Sequence, residues 1–218
     1  CLPKTAWPPT WQQIMADINR LTASLIRQEG ISPAEVKGVG MGVPGTADPE
    51  RGVLVYACNL PLCRNMPARE AMQSALGLPL YLDNDANVAA LGESLFGAGG
   101  GRTRCSVLIT LGTGVGGGVI INGKIFAGAY YGGAELGHQV IIENGEPCSC
   151  GRKGCWEAYS SATGLIRSAR QAALENRKSI LWEKCGGDLD KLNGAMIGEA
   201  ADEKDPSAQL VIAVAGSQ

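Results

Sequence analysis

Long apolar runs are missing from this sequence. No stretch approaches the roughly 18 consecutive apolar residues that a membrane-spanning helix needs. The first residues also do not pair a basic segment with an apolar core, as a signal peptide does. The sequence therefore predicts a cytoplasmic protein without a membrane partner.

Clustered positive charge is also missing, and aromatic residues are scarce. The chain carries 19 Lys and Arg against 21 Asp and Glu, and the basic residues are scattered. A nucleic-acid surface needs Lys and Arg grouped on one face or along one helix. We therefore expect no nucleic-acid partner.

Cysteine, in contrast, is well represented, with eight residues. Five of them are dispersed without a pattern: Cys1, Cys58, Cys63, Cys105 and Cys185. Because nothing marks secretion, we interpret these five as free and mostly buried thiols. The other three, Cys148, Cys150 and Cys155, crowd one loop and need another explanation.

The crowded cysteines are typical of a zinc site. His138, the only histidine of the chain, lies ten residues before Cys148. One imidazole and three thiolates form a standard closed tetrahedral set for structural zinc. Gly151 and Gly154 permit the tight backbone turns that let three sulfur atoms converge on one ion.

Other interpretations of this loop are a local disulfide and a redox-active thiol pair. A reducing compartment disfavours both, and three cysteines leave one unpaired. An iron–sulfur cluster would want a fourth thiolate nearby. Zinc held by His138, Cys148, Cys150 and Cys155 is the interpretation that we favour.

Strands and helices alternate along the chain, which predicts an α/β fold. Apolar residues at helical spacing predict a helix over Trp11–Gln28, capped by Thr10, and another from about Glu157 to Glu175. Asn122 and Gly123 predict a two-residue hairpin turn. Strands are expected over Val36–Val43, Gly52–Tyr56, Leu78–Leu82, Cys105–Leu111 (as a buried strand) and Val119–Ile121, with a turn over Pro44–Asp48.

A glycine-rich break at Gly97–Gly101 predicts two lobes, residues 1–97 and residues 98–218. The chain starts with Cys1 rather than Met and stops at Gln218 directly after an apolar run. Both ends look cut, so we expect the fold to be incomplete at both ends.

Asp83, Asn84 and Asp85 lie where a predicted strand meets a predicted helix. The carboxyl ends of strands in α/β sheets are where ligands bind. Phosphoryl transfer to an alcohol needs a carboxylate that accepts the hydroxyl proton, and we assign this role to Asp85. Because Asp and Asn also favour helix N-caps, a purely structural role is the alternative.

The loop Gly112–Gly118 follows a predicted strand, as a phosphate-binding turn should. It matches neither the Walker pattern nor the dinucleotide fingerprint. Its backbone amides and the Thr113 hydroxyl could still approach phosphate oxygens, because glycine leaves the backbone accessible. A glycine-rich hairpin bend is the alternative.

Glu135 and His138 are three residues apart, so on a helical turn they share a face. Glu157 lies two residues after the last predicted metal ligand. If a metal fixes His138 and the loop before Glu157, the three side chains converge. Two carboxylates beside an ordered histidine are good partners for sugar hydroxyls, although Glu157 could instead simply favour a helix N-terminus.

Taken together, these motifs resemble the ROK family (repressors, open reading frames and sugar kinases). The zinc signature Glu135–His138 with Cys148–Glu157 is the most specific part. Three further motifs resemble the family in the right order: Gly42–Thr46, Leu82–Asn87 and Leu111–Gly118. Trp182–Asp190 further resembles the bacterial glucokinases of the family.

The resemblance implies an actin-like (ribonuclease H-like), two-lobed fold and ATP-dependent phosphorylation of a hexose at its 6-hydroxyl, with Mg²⁺. It implies Asp85 as the general base. Sugar contacts would be Gly45, Asn84, Glu135, His138 and Glu157, and the ATP phosphates would lie near Gly112, Thr113 and Gly114. The family also suggests dimers or tetramers.

The resemblance leaves several questions open. The sugar could be glucose, N-acetylmannosamine, N-acetylglucosamine or fructose, and some family members are sugar-sensing transcription repressors. The family's Asp-x-Gly-Gly-Thr phosphate loop and its adenosine-binding segment do not occur between Cys1 and Gln218. We therefore expect these residues alone to be inactive as a kinase.

Overall fold

The computed structural model describes residues 8–217, so Cys1 and Gln218 lie outside the described residues. Contacts divide the chain into two compact units. The first comprises the residues up to Leu108 together with Gly118–Ala134, and the second comprises Ile109–Gly117 and the chain from Glu135 onward. The predicted break at Gly97–Gly101 falls inside the first unit, and the assignment of 1–97 and 98–218 to two lobes stays a prediction.

Eight helices and seven strands are formed by the described residues. The helices are α1 (Trp11–Gln28), α2 (Ala68–Leu76), α3 (Asp85–Leu95), α4 (Glu157–Ser160), α5 (Ala162–Glu175), α6 (Leu181–Lys184), α7 (Gly194–Asp202) and α8 (Pro206–Ser217). The strands are β1 (Val39–Val43), β2 (Thr46–Asp48), β3 (Val53–Tyr56), β4 (Leu80–Asn84), β5 (Cys105–Leu111), β6 (Val115–Ile121) and β7 (Lys124–Ile125). Short 3-10 turns cover Pro33–Glu35, Leu136–His138 and Leu189–Lys191.

The first unit is built around the parallel pair of β1 and β4, in which Val43 lies opposite Asn84. The strands β2 and β3 form an antiparallel pair beside it. Side chains of α1, α2 and these strands form one core, whose fully buried members include Met15, Leu54, Met72 and Leu80. This core fixes the carboxyl end of β4, where the predicted catalytic residues lie.

The second unit ends in a helical assembly. Helices α5 to α8 pack around a separate core that contains Ala169, Leu181, Ile197 and Ala208, all of them fully buried. Ser161 separates α4 from α5 with an extended backbone, and its hydroxyl accepts a hydrogen bond from Gly164 N. The single helix predicted over Glu157–Glu175 was therefore wrong, because Ser161 acts as an N-cap inside that range.

Several predicted strands hold with changed bounds. The predicted turn over Pro44–Asp48 was partly wrong, because Thr46–Asp48 forms β2. The predicted glycine loop is shorter than expected, since β6 already begins at Val115. Gly118 lets β6 pack directly against α3, because a Cβ atom at this position would lie 2.4 Å from Ala90 Cβ.

The strand β5 has the predicted bounds but is not buried. It is the edge strand of a three-stranded sheet in the order β5-β6-β7, and it exposes Val107, Ile109 and Leu111. Apolar, β-branched composition predicts a strand but not whether another layer covers it. Asn122 and Gly123 both have positive φ, which confirms the predicted hairpin turn.

Among residues 8–217, no helix combines the length and the apolar character that crossing a membrane requires.

Arg69 joins two parts of the first unit. Its guanidinium donates hydrogen bonds to the carbonyl oxygens of Leu80 at 3.0 Å, Glu50 at 2.6 Å and Pro49 at 2.7 Å. The turn between β2 and β3 is thereby tied to the first residue of β4. A Cβ atom on Gly52 would lie 2.4 Å from Arg69 Cβ, so glycine is required for this contact.

We predict that Arg69→Met lowers the free energy of unfolding by about 2 kcal/mol, because three carbonyl groups lose a charged donor. Urea-induced unfolding measures this change. Arg20→Met is the matched control, since Arg20 is exposed and forms a surface ion pair with Asp17, and it should cost less than about 0.5 kcal/mol. Equal losses in both variants would contradict the role of Arg69.

Candidate functional site

The junction of β4 and α3 holds the predicted catalytic residues in the first unit. Asn84 is the N-cap of α3: its Oδ1 accepts hydrogen bonds from Ala86 N at 2.9 Å and Asn87 N at 3.1 Å. Its Nδ2 donates to the carbonyl oxygen of Gly45 at 3.0 Å. The alternative of an N-cap in this motif is therefore correct for Asn84, whereas Asp85 is the first residue of the helix.

Asp85 is the first residue of α3, and its side chain is exposed. Its Oδ1 accepts a hydrogen bond from Ala86 N at 2.9 Å. Asp83 differs, because its Oδ1 accepts from Asn84 N at 2.7 Å and from Asn87 Nδ2 at 3.2 Å. Of the two carboxylates, Asp85 is the one presented at the surface of this unit.

Two glycines allow the backbone to close around this junction. Gly45 has a φ of +74°, and a Cβ atom there would lie 2.3 Å from the carbonyl oxygen of Tyr56. At Gly42, a Cβ atom would lie 3.3 Å from Asp85 Cα. The carbonyl group of Gly45 thus lies beside the Asn84 side chain.

The second unit contains the predicted metal ligands. The ligand atoms of His138, Cys148, Cys150 and Cys155 all lie within 4.8 Å of one another. Cys148 Sγ lies 3.5 Å from His138 Nδ1, and Cys150 Sγ lies 3.6 Å from Cys155 Sγ. Zinc bonds of about 2.0–2.3 Å in a tetrahedron place ligand atoms roughly 3.5–3.8 Å apart. These two separations fit a Cys3His metal site.

The three cysteines are free thiols, so the disulfide alternative is not present. Burial raises the pKa of the Cys155 thiol to about 12, with further contributions from Cys150 and Cys148. Burial acts to raise the pKa of Cys150 as well, but hydrogen bonds from Arg152 and the neighbouring thiols outweigh it and lower that pKa to about 6. Converting all three cysteines to thiolates in such proximity therefore requires a bound cation, which lowers the pKa of a coordinating thiol.

The loop itself is shaped by tight turns. Gly151 N donates to Cys148 O at 3.0 Å, and Cys148 N donates to Arg152 O at 2.9 Å. Gly154 has a φ of +75°, and a Cβ atom there would lie 1.7 Å from Ile142 O. Glycine at position 154 is therefore required if Cys155 is to reach the other ligands.

His138 is placed by the 3-10 turn Leu136–His138. Its backbone N donates to Glu135 O at 3.1 Å, which brings the two predicted sugar contacts into one turn. Gly137 packs against β6, where a Cβ atom would lie 2.0 Å from Val115 O. Nδ1 of His138 faces Cys148 Sγ, so Nε2 is the ring nitrogen on the other side of the imidazole from this contact. The Glu135 side chain is exposed.

Glu157 begins α4 and contacts both the cysteine loop and the glycine turn. Its Oε1 accepts a hydrogen bond from Ser149 Oγ at 3.1 Å, and its Oε2 accepts from Val115 N at 3.0 Å. The sequence did not single out Ser149 or Val115. The position of Ser149 between two predicted metal ligands could have indicated that it lies near Glu157. Nothing in the sequence indicates that the Val115 amide is a partner of Glu157.

The glycine turn Gly112–Gly114 is the connection between β5 and β6. Gly112 N donates to Gly114 O at 3.0 Å, which closes the turn, and Thr113 is exposed at its tip. The predicted nucleotide residues therefore form one compact turn in the second unit. The predicted sugar and base residues Gly45, Asn84 and Asp85 lie together in the first unit, and Glu135, His138 and Glu157 lie in the second.

Comparison with known proteins decides the family. The sequence pattern of the ROK family matches residues 4–217. The chain belongs to the ROK family.

A glucokinase of Halalkalibacterium halodurans is 40% identical over 185 residues, which cover 83% of this chain and 54% of that relative. A xylose repressor of Caldicellulosiruptor bescii is 35% identical over 184 residues, 83% of this chain and 44% of the repressor. The chain thus spans about half the length of the curated relatives it matches.

Among solved structures, a ROK family glucokinase from Streptomyces griseus in complex with glucose and AMPPNP matches with a TM-score of 0.78. The two proteins are 38% identical, and the match covers 95% of this chain and 65% of the other. The predicted fold class is confirmed: this ROK chain has the actin-like α/β fold of the ROK sugar kinases.

The two roles at the junction of β4 and α3 predict different effects of mutation. Asn84→Ala should lower the free energy of unfolding by about 1–2 kcal/mol, because the cap of α3 and the bond to Gly45 are lost. Asp85→Asn keeps an oxygen for Ala86 N and should change it by less than about 0.5 kcal/mol. Thermal or urea unfolding measures both, and a larger loss for Asp85→Asn would contradict the assignment.

Proposed function

We propose that this ROK chain contributes the sugar-binding and catalytic part of a cytoplasmic glucokinase, which transfers a phosphoryl group from ATP, with Mg²⁺, to the 6-hydroxyl of glucose. The observation that carries the proposal is Asp85, an exposed carboxylate held on a capped helix beside Gly45 and Asn84. The similarity to a glucokinase bound to glucose and AMPPNP supports it.

In this proposal Asp85 accepts the proton of the sugar's 6-hydroxyl as the hydroxyl oxygen attacks the γ-phosphorus atom of ATP. The bond between the γ-phosphorus atom and the β,γ-bridging oxygen breaks, and ADP leaves. Asn84 and the Gly45 backbone fix the position of Asp85 relative to the sugar. Glu135, His138 and Glu157 bind the other sugar hydroxyls, and the Gly112–Gly114 turn meets the ATP phosphates. An unmatched hydroxyl would leave a buried polar group unpaired at a cost of about 1–3 kcal/mol, which provides selectivity among sugars.

We propose zinc as the metal of the Cys3His cluster. His138 would bind it through Nδ1 and the three cysteines through their sulfur atoms, a closed set that leaves no open coordination position. Such an ion supplies structural order rather than a reacting water. Ligation through Nδ1 keeps the imidazole neutral and orients Nε2 for a hydrogen bond.

A sugar-sensing repressor is the second candidate, favoured by the match to a xylose repressor. A sensor has no need of a general base, yet Asp85 is exposed, and the N-cap of α3 is Asn84 rather than Asp85. That difference supports the kinase. A kinase for N-acetylmannosamine, N-acetylglucosamine or fructose is a variant of the first proposal, and assembly into dimers or tetramers accompanies it.

The general-base role is tested in the full-length protein that contains this chain. Asp85→Asn should lower kcat for glucose by about 10²–10⁴-fold, because the proton acceptor is lost while the shape is kept. The KM for glucose should stay within about threefold. A coupled assay of ADP formation over a panel of hexoses measures both quantities and identifies the sugar.

Asp202→Asn is the matched control for that experiment, since Asp202 is exposed at the end of α7. Its rate should equal that of the unaltered protein. A rate retained in Asp85→Asn would refute the base, and binding of sugar without any turnover by the unaltered protein would favour the repressor.

The metal proposal is tested by metal analysis of the purified protein. We expect about one equivalent of zinc per chain, and less than about 0.2 equivalent in Cys148→Ser, because a closed site depends on all four ligands. Cys105→Ser is the control, since Cys105 is exposed and lies outside the cluster, and it should retain the metal. Less than about half an equivalent in the unaltered protein would contradict zinc.

A further inference from the structure

The segment that follows the last cysteine of the metal cluster holds the glycine turn. Three hydrogen bonds make this connection. They run from Val115 N to Glu157 Oε2 at 3.0 Å, from Ala162 N to Gly112 O at 2.8 Å, and from Thr163 Oγ1 to Thr113 O at 3.0 Å. The turn is therefore positioned by residues 157–163 rather than by its own two strands alone.

The same segment is attached to the metal cluster at its other end. Glu157 Oε1 accepts from Ser149 Oγ at 3.1 Å, and it lies 3.8 Å from Cys148 Sγ. Trp156, between Cys155 and Glu157, donates its backbone amide to Gln139 O at 2.8 Å. One carboxylate thus contacts the cluster with one oxygen and the glycine turn with the other.

The contact on the turn side is close and shielded. A Cβ atom on Gly114 would lie 2.4 Å from Glu157 Oε2, so the turn lies directly against the carboxylate. Val115 is 6% exposed, and Glu157 is half-buried. A charged hydrogen bond that water cannot easily replace is worth more than an exposed one.

We propose that Glu157 is a positioning residue that couples the Cys3His site to the Gly112–Gly114 turn, so that metal binding orders this turn. Metal ligation fixes Cys148 and Cys150, which flank Ser149, and it fixes Cys155, which lies two residues before Glu157. Without the ion, Glu157 loses its fixed partner in the cysteine loop and holds the Val115 amide less well. That the turn meets phosphate rests on the proposed function, whereas the coupling does not.

Amide hydrogen exchange tests the coupling without nucleotide or sugar. The Val115 amide is the direct reporter, because it donates to Glu157. Removing the metal with a chelator should speed its exchange by about tenfold or more. The amides of α7, around the fully buried Ile197, serve as the reference and should change by less than about twofold.

A variant separates the coupling from general loosening of the metal-free protein. Ser149→Ala removes the bond to Glu157 Oε1 but no metal ligand. It should keep its metal and still speed exchange at Val115 by about threefold or more. Ser74→Ala, an exposed serine of α2, is the matched control and should leave that exchange unchanged.

Unchanged Val115 exchange in metal-loaded Ser149→Ala would overturn the proposal, whatever the metal-free protein does. So would a chelated protein in which the Cys148–Cys155 loop exchanges faster while Val115 does not. Neither result depends on phosphorylation. A protein that fails every kinase assay but shows the coupled exchange would refute the proposed function alone.

Discussion

The structure of the second unit depends on one constraint, the convergence of one imidazole and three thiols at a single point. Cys155 is fully buried, and the ligand atoms of all four residues lie within 4.8 Å of one another. Three thiolates at this separation repel one another unless a cation neutralises them. Gly151 and Gly154, with positive φ, and Gly137, packed on Val115 O, are requirements of that convergence.

The convergence of these four side chains positions residues on both sides of the cluster along the chain. Toward the N-terminus it orients His138 and the turn that carries Glu135. Toward the C-terminus it places Glu157, whose carboxylate contacts the glycine turn. In the first unit the corresponding interaction is the Asn84 side chain. It joins the Gly45 backbone to the start of α3 by hydrogen bonds, and Asp85 beside it is exposed.

Much of this arrangement could be predicted from the sequence, because it depends on local rules. The N-cap at Thr10, the hairpin at Asn122 and Gly123, and the Cys3His set each have a spacing that only a few structures satisfy. Close approach of distant backbone could not be predicted. Gly118 belongs to a strand because α3 lies against it, and local composition alone suggests a loop. The helical pattern is interrupted at Ser161 by another contact with distant backbone, because the amide of Ala162 donates a hydrogen bond to Gly112 O. The exposure of β5 could not be predicted either, because local composition does not tell whether another layer covers a strand.

The central claim is that His138, Cys148, Cys150 and Cys155 bind a single zinc ion together. X-ray absorption at the zinc edge tests it most directly, because it counts the atoms around the ion and measures their distances. The account predicts three sulfur atoms at about 2.3 Å and one nitrogen atom at about 2.0–2.1 Å. A shell without nitrogen, or one with fewer than three sulfur atoms, would contradict it.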